Sequence, residues 1–544
     1  MRKIQKILVR APNWIGDAVM STSALAALRR AFPEAEIVLL AKPAVAALFE
    51  RHPDINRVMF YEDPGQHAGV SGLLRLIRLV RTERFDLAFL LQNALEAALL
   101  AFFGGIPRRI GYATDGRKML LTASLPKEFA PPHRSDAYLA LVPLTGFPSE
   151  KEGEVMRKKD PCLSVSTTES GAARDFLKSL GAATEKPLIG LNPGAAYGTA
   201  KRWLPERFAA LADRLSDQFQ AQILIFGGKS EVSVAEKIQS RMKAEAVILT
   251  GKTTLRQMMA CIRQCRLLIS NDSGPMHVAS ALRVPQVAIF GPTNPVASFS
   301  NGAYDMLVQN RVDCAPCRHR DCPVDHRCME GLGVDAVFEV AARHMETPKK
   351  ARGAVFLDRD GTINPDDGYI DSTERFSLFP GAAAAIAKLN QAGVPVILVT
   401  NQSGVARGMF DASFVDELHL YLQRLLAREG AYLDGIYFCP HHPDRTGCDC
   451  RKPAGGMIKQ AILDHAIDFS KSYIVGDKAS DMLLSEALLP QFKAKAVLVK
   501  TGEGEATRAS LAELGKTPDF VSKDLSEAAD WILWMHTITE RHIE

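Results

Sequence analysis

Ala354-Val-Phe-Leu-Asp-Arg-Asp-Gly-Thr-Ile363 joins a short apolar run to two carboxylates, Asp358 and Asp360, with Gly361 allowing a sharp turn. Four apolar residues ended by turn chemistry read as a strand buried on both faces. Acidic residues at its carboxyl end stand where open parallel sheets bind ligands. Outward from this stretch the pattern repeats. Pro395–Thr400, Gly435–Phe438, Ser472–Val475 and Ala496–Val499 follow it, with helical patterns between. Ile4–Val9, Glu36–Leu40, Leu87–Leu91, Leu188–Leu191, Ile223–Phe226, Leu267–Ser270 and Gln286–Phe290 precede it. The expected class is α/β with doubly wound parallel sheets.

A chain of 544 residues exceeds what one core serves. Charged, proline-bearing Glu346–Gly353 reads as a linker, and the polar stretch Lys151–Ser170 as a softer break. The expected domains are 1–165, 166–345 and 354–544, joined by the linker 346–353. A net charge of +4 offers no whole-protein argument for nucleic acid. Arg10, Pro12, Asn13 and Asp17 interrupt the basic, briefly apolar start before it resembles a signal sequence. Phe85–Ile106 contains Asp86, Gln92, Asn93 and Glu96, and reads as a strand and helix rather than a membrane span. The expected location is the cytoplasm, at most touching a membrane surface. Seven of the 10 cysteines fall in two tight groups, which in a chain without an export signal favours metal over disulfides.

Three polar loops follow strands in the N-terminal part. Arg10-Ala-Pro-Asn-Trp-Ile-Gly-Asp17 leads into a helical pattern over Ala18–Arg30, putting Asp17 at a strand-to-helix turn, as a ligand-site carboxylate or a helix cap. Asn192-Pro-Gly-Ala-Ala-Tyr-Gly-Thr-Ala-Lys-Arg-Trp203 offers Gly194, Gly198 and Thr199 with the cations Lys201 and Arg202, suited to a pyrophosphate; the alternative is a solvated basic loop. Ser270-Asn-Asp-Ser-Gly-Pro-Met-His277 precedes a helix over Val278–Leu282, and the N–H groups of Ser273 and Gly274 would face an anion.

VRAPNWIGDAVMS, NPGAAYGTAKRW and NDSGPMHVASAL resemble the ADP-heptose:lipopolysaccharide heptosyltransferases, heptosyltransferase II most closely, over roughly residues 1–345. The resemblance implies a GT-B pair of Rossmann-like domains, with acceptor mainly on the first and ADP-heptose mainly on the second. It implies Asp17 as general base and Lys201 as the cation on the donor phosphates. It also implies Thr199, Asp272, Ser273, Gly274 and His277 in the donor site, Glu231 at the nucleotide ribose, and inversion at the sugar carbon. The implied acceptor is a lipopolysaccharide inner-core precursor, a heptosyl-Kdo-lipid A, at the inner-membrane surface. Cys314, Cys317, Cys322 and Cys328 could hold structural zinc; an iron–sulfur cluster or four free thiols are the alternatives.

In the C-terminal part, Asp358 is placed to attack phosphorus, and Asp360 to protonate the leaving oxygen and then activate water. Thr400-Asn-Gln-Ser403 ends the next strand with phosphoryl-holding groups, Lys452 adds a cation, and Asp477 in Gly476-Asp477-Lys-Ala-Ser-Asp481 offers an oxygen ligand to Mg2+ beside Asp358 and Asp360. Together these form the haloacid dehalogenase-type phosphotransferase pattern. Cys439, His441, Cys448 and Cys450 make a closed zinc set, with His442 the competing imidazole. LDRDGTIN, DDGYI, VTNQSGVARG and CDCRKP resemble the D-glycero-D-manno-heptose-1,7-bisphosphate 7-phosphatases. That resemblance implies Asp358 as nucleophile, Asp360 as acid/base, Asp477 on Mg2+ and Thr400 and Lys452 on the phosphoryl group. It implies substrate contacts from Arg451, Asp366, Asp367, Gly368 and Tyr369, beside Asn401, Gln402 and Ser403. The six residues between His441 and Cys448 are nearer the histidinol-phosphate phosphatases, and Ala454-Gly455-Gly456 replaces the usual proline-rich turn. The expected whole is a bifunctional enzyme of inner-core heptose metabolism. The alternatives are a transferase fused to a histidinol-phosphate-type phosphatase, and a chain with one half serving only as a binding module.

Overall fold

The computed structural model describes residues 3–148, 152–156, 161–300, 302, 305–317, 319–346, 352–444, 447–465, 467–488, 493–513 and 515–541. Most of the expected linker and part of the expected break at 151–170 lie outside the described residues. The chain separates into two compact units: the first holds two sheets and the second, which takes in Ser166–Thr168, holds a third.

In the first sheet β1 (Lys6–Arg10), β2 (Glu36–Ala41), β3 (Arg57–Phe60), β4 (Leu87–Leu90), β5 (Arg108–Tyr112) and β6 (Ala123–Leu125) lie in the order β3-β2-β1-β4-β5-β6. The second holds β7 (Leu188–Asn192), β8 (Gln222–Ile225), β9 (Ala246–Ile248), β10 (Leu267–Asn271), β11 (Gln286–Phe290) and β12 (Asp305–Gln309), ordered β12-β11-β10-β7-β8-β9. In the third β13 (Val355–Leu357), β14 (Val396–Asn401), β15 (Gly435–Cys439), β16 (Tyr473–Gly476), β17 (Lys495–Val499) and β18 (Phe520–Ser522) are ordered β15-β14-β13-β16-β17-β18.

The three orders are one topology, each sheet's first strand lying beside its fourth, and the pairings across those positions are parallel. The chain reverses direction of winding there, so a crevice opens at the carboxyl ends of β1/β4, β7/β10 and β13/β16. Asp17 follows β1, Asp272 follows β10, Asp358 follows β13 and Asp477 follows β16. The central strands are wholly buried, as a sheet covered by helices on both faces requires.

The helix expected over Ala18–Arg30 is two helices, Ile15–Met20 and Thr22–Ala31, meeting at Ser21. Ser21, Thr22 and Ser23 each turn a hydroxyl back onto a carbonyl three residues earlier, which competes with the regular ladder. The helix expected from Val278 starts at Gly274 and ends at Ala281, with Ser273 as its N-cap. Ile15–Met20 and Gly274–Ala281 bring the two sheets of the first unit together. A Cβ on Gly16 would stand 2.6 Å from His277 Cδ2, and one on Gly274 2.9 Å from Ile15, so the close approach requires glycine at both positions.

Two candidate active sites

At the first site the carboxyl ends of β1, β7 and β10 converge. Lys201 Nζ lies 2.6 Å from Asp272 Oδ2, with both side chains largely buried, and the Thr293 hydroxyl donates to the same oxygen at 2.6 Å. Asn192 Nδ2 donates to Ser273 Oγ at 2.8 Å, tying β7 to the start of helix Gly274–Ala281. Arg134 Nη1 stands 3.1 Å from Asp17 Oδ1. Burial raises the Asp17 pKa; Arg134, a hydrogen bond with Tyr138 and the charge of Lys201 oppose it, while the charge of Asp272 reinforces it. Asp17 therefore shares one electrostatic environment with the lysine and aspartate of the second sheet. His277 is pushed down to about 4 by burial, against the pull of Asp272, so it is a neutral imidazole at physiological pH. Glu231 Oε2 accepts from Gly228 N at 2.8 Å, and a Cβ on Gly194 would fall 2.0 Å from Glu231 Oε1, so this carboxylate leans over the loop after β7. Thr199 turns away from the cluster and donates to Asp321 Oδ1 at 2.6 Å.

At the second site Lys452 Nζ lies 2.6 Å from Asp358 Oδ1 and 2.6 Å from Asp481 Oδ1, and donates to Val399 O at 3.0 Å. Ligand oxygens of Asp358, Asp477 and Asp481 lie within 4.8 Å of one another. Burial pushes Asp358 up to about 7 despite Lys452, and Asp477 up to about 6. Asp477 Oδ1 is buried and accepts no hydrogen bond from the described residues. Stacked carboxylates with an orphaned oxygen are what a divalent cation would relieve. Gly361 has φ +86°, and a Cβ there would sit 2.1 Å from Asp477 Oδ2, so the glycine after the two aspartates makes room for the third. Asp360 accepts from Arg359 at 2.9 and 3.0 Å, from Asn364 at 3.0 Å and from Gln402 at 3.0 Å. Burial would raise its pKa, but the Arg359 guanidinium and these bonds hold it below the usual carboxylate range. Gln402 also donates to Thr400 Oγ1 at 2.9 Å, linking Asp360 to Thr400.

Comparison with known proteins separates the same two parts. The family model for glycosyltransferase family 9 (heptosyltransferase) matches residues 73–327, and the HAD-hydrolase-like model matches residues 449–528. Lipopolysaccharide heptosyltransferase 2 of Escherichia coli (strain K12) is 34% identical over 299 residues, covering 53% of this chain and 84% of that protein. D-glycero-beta-D-manno-heptose-1,7-bisphosphate 7-phosphatase of Photorhabdus laumondii is 46% identical over 165 residues, covering 29% of this chain and 86% of that protein. The solved structure of E. coli ADP-heptose lps heptosyltransferase II aligns with TM-score 0.53 and 28% identity, over 63% of this chain and 99% of that one. The chain belongs to both families, the heptosyltransferases and the heptose-bisphosphate 7-phosphatases.

In the phosphatase part the Cys/His set also comes together. Cys439 Sγ is 3.6 Å from His441 Nδ1 and 3.8 Å from Cys448 Sγ, and His441 Nδ1 is 3.1 Å from Cys450 Sγ. Tetrahedral thiolate ligation at about 2.3 Å gives ligand edges of about 3.8 Å, so the set has the size of a metal centre. His441 is the imidazole in the set; His442 accepts from Asp444 N instead. Cys450 leads directly to Arg451 and Lys452, so the loop carrying this Cys/His set also carries the lysine of the site.

Several expected residues have partners of their own in the structure. The Asp360 carboxylate, expected on the metal, is engaged by Arg359, Asn364 and Gln402 and is not among the side chains of the Asp358, Asp477 and Asp481 cluster. Asn401 accepts from Lys452 N at 3.0 Å and so positions the lysine. Asp366 pairs with Lys478 at 2.6 Å, and Tyr369 lies 3.3 Å from Ser403 Oγ, whereas Asp367 and Gly368 are exposed. Arg451 reaches the His441 carbonyl, at 3.5 Å. In the transferase part, burial raises Cys328, reinforced by the charges of Cys322, Cys314 and Cys317, so the four thiols share one neighbourhood. They are not among the groups, found among the described residues, whose ligand atoms all come within 4.8 Å. Sequence reasoning left out Arg134, Tyr138, Thr293, Asp481 and Lys478. Asp481 had a signal, the second carboxylate of Gly476–Asp481, four residues after Asp477. Arg134 and Tyr138 are four apart on helix Arg134–Leu139, a spacing informative only once the helix is known.

Proposed function

We propose that the chain is a bifunctional enzyme of lipopolysaccharide inner-core heptose metabolism. One site transfers heptose from ADP-heptose to a heptosyl-Kdo-lipid A acceptor, and the other hydrolyses the 7-phosphate of D-glycero-D-manno-heptose 1,7-bisphosphate. The observation that carries this reading is the pairing of a lysine with an aspartate beyond a strand end in each unit, largely buried Lys201 with Asp272 and fully buried Lys452 with Asp358.

In the transfer, Asp17 accepts the acceptor hydroxyl's proton as that oxygen bonds to the anomeric carbon and the bond to ADP breaks. Lys201 and the N–H groups opening helix Gly274–Ala281 meet the charge on the departing ADP. Neutral His277 adds no competing proton donor of low pKa, and Glu231 is suited to the ribose. In the hydrolysis, Lys452 and Thr400 hold the phosphoryl oxygens while an Asp358 oxygen bonds to phosphorus and the bond to the sugar oxygen breaks. Asp360 supplies that oxygen's proton, then takes one from the water that releases inorganic phosphate. An arriving phosphate dianion raises the pKa of Asp360 and equips it for the first of these roles. Asp358, Asp477 and Asp481 would hold Mg2+, which neutralises carboxylates and phosphoryl oxygens together. Cys439, His441, Cys448 and Cys450 would hold structural Zn2+. The acceptor reading puts the work at the cytoplasmic face of the inner membrane. The two steps are not consecutive in the chemistry of the sugar, so fusion carries no argument for channelling.

The spacing between His441 and Cys448 favours one second reading, a phosphatase for histidinol phosphate. Phosphate release by the full chain, with and without Mg2+, should be measured on both substrates. Preference for the heptose bisphosphate supports the first reading; preference for histidinol phosphate replaces it.

A further inference from the structure

Helix Gly69–Glu83 buries Leu76 and Val80 against the first sheet, yet Val70 is 78% exposed, Leu74 51% and Leu79 43%. Arg75, Arg78 and Arg81 are exposed beside them, and Arg84 follows the helix end. Its one acid, Glu83, is occupied by Lys6 and Arg57, each at 2.5 Å. The outer face is thus apolar and cationic with no exposed carboxylate, unlike a solvated helix, which mixes both signs. Helix Leu95–Phe103 lies alongside and exposes Phe102 and Phe103, with Arg109 5.2 Å from the Phe102 ring centroid. The turn Arg117–Leu120, next to that helix, exposes Lys118 and leaves Met119 92% exposed.

We propose that this face docks on an anionic lipid bilayer. Exposed leucine, valine, methionine and phenylalanine would enter the boundary between headgroups and acyl chains, while the arginines engage lipid phosphates. A second copy of the chain fits less well, because a two-fold contact would set arginines against arginines. The inference deepens the acceptor reading and rests on it, since a lipid-borne sugar is presented at such a surface. The parallel topology brings the starts of both helices, with Leu95, to the sheet edge that carries Asp17, where Trp14 is 57% exposed.

The test is sedimentation of the full chain with phosphatidylcholine vesicles, with and without phosphatidylglycerol, at low and high salt. Wild type should bind the phosphatidylglycerol vesicles, less strongly at high salt. Each basic residue near the surface contributes about 1 kcal/mol, so Arg75→Glu/Arg78→Glu/Arg81→Glu should weaken binding by at least ~100-fold. Val70→Ser/Leu74→Ser should weaken it at both salt concentrations. Transfer to a deacylated, water-soluble acceptor should be the same in all these proteins, which shows the site intact. Its absence from wild type would count against the transferase reading instead. Absence of wild-type vesicle binding, or equal binding by the triple variant, overturns the proposal. A change in oligomeric state with vesicle binding unaltered overturns it too and assigns the face to a second copy.

Discussion

Replacing Arg134 by glutamine should move the acidic limb of the transferase pH–rate profile to higher pH. Asp17 can accept a proton only as the carboxylate, and its pKa is raised by burial and held back by Arg134. Removing the guanidinium removes the opposing influence, so at a given acidic pH a smaller fraction of Asp17 is ionised. The size follows from the geometry. The charges are 3.1 Å apart; the Arg134 side chain is 52% exposed and that of Asp17 19%, so full screening by water sets the smallest effect to expect. Coulomb's law at a dielectric constant of about 80 then gives ~1.3 kcal/mol, which corresponds to about one pH unit. On the limb the variant should keep at most roughly a tenth of the wild-type rate, and the gap should narrow toward the plateau. The assay is ADP release from ADP-heptose with saturating acceptor across the acidic range, for wild type, Arg134→Gln and Arg134→Lys. The lysine variant should recover most of the shift, and the position of the limb, rather than its height, is the readout. A limb that stays put or moves to lower pH would refute the pairing of Arg134 with a catalytic Asp17.

Lys201→Met removes the cation proposed to meet the departing ADP and should lower kcat for transfer on the order of 10²–10³-fold; phosphate release measured on the same protein should not change. Gly361→Ala forces a Cβ to within 2.1 Å of Asp477 Oδ2 at a backbone φ of +86°. It should abolish Mg2+-dependent phosphate release and weaken Mg2+ binding in a titration, with transfer retained. Cys448→Ser should lower the zinc content found by metal analysis and reduce phosphatase activity through the loop that carries Lys452, and added zinc should restore little of it.

The sequence was most legible where burial is complete. Strands such as Leu188–Asn192 and Leu267–Asn271 are covered on both faces and read as apolar runs that turn polar only at their carboxyl ends. The edge strands Arg57–Phe60, Ala123–Leu125 and Ala246–Ile248 are only three or four residues long and mostly half-exposed, so their apolar stretches are too short to stand out, and only pairing with a neighbour defines them. The same division holds for the sites. Asp17, Asp358 and Asp477 follow strands and announce themselves by position, and Thr400 ends one. Arg134, Thr293 and Lys478 reach their partners from other elements, a relation that exists only after folding. Asp360, two positions from Asp358, was legible as a carboxylate beyond a strand end, but its pairing with Arg359, which turns inward between them, was not.

The central claim is two independent catalytic centres on one chain, and crossed single substitutions test it most directly. Transfer from ADP-heptose and phosphate release from heptose 1,7-bisphosphate should both be measured on full-length Asp17→Ala and on full-length Asp358→Asn. Asp17→Ala should lose transfer and keep phosphate release, and Asp358→Asn should do the reverse. If Asp358→Asn still releases phosphate, or if Asp17→Ala still transfers heptose at the wild-type rate, the corresponding centre has been assigned to the wrong residues.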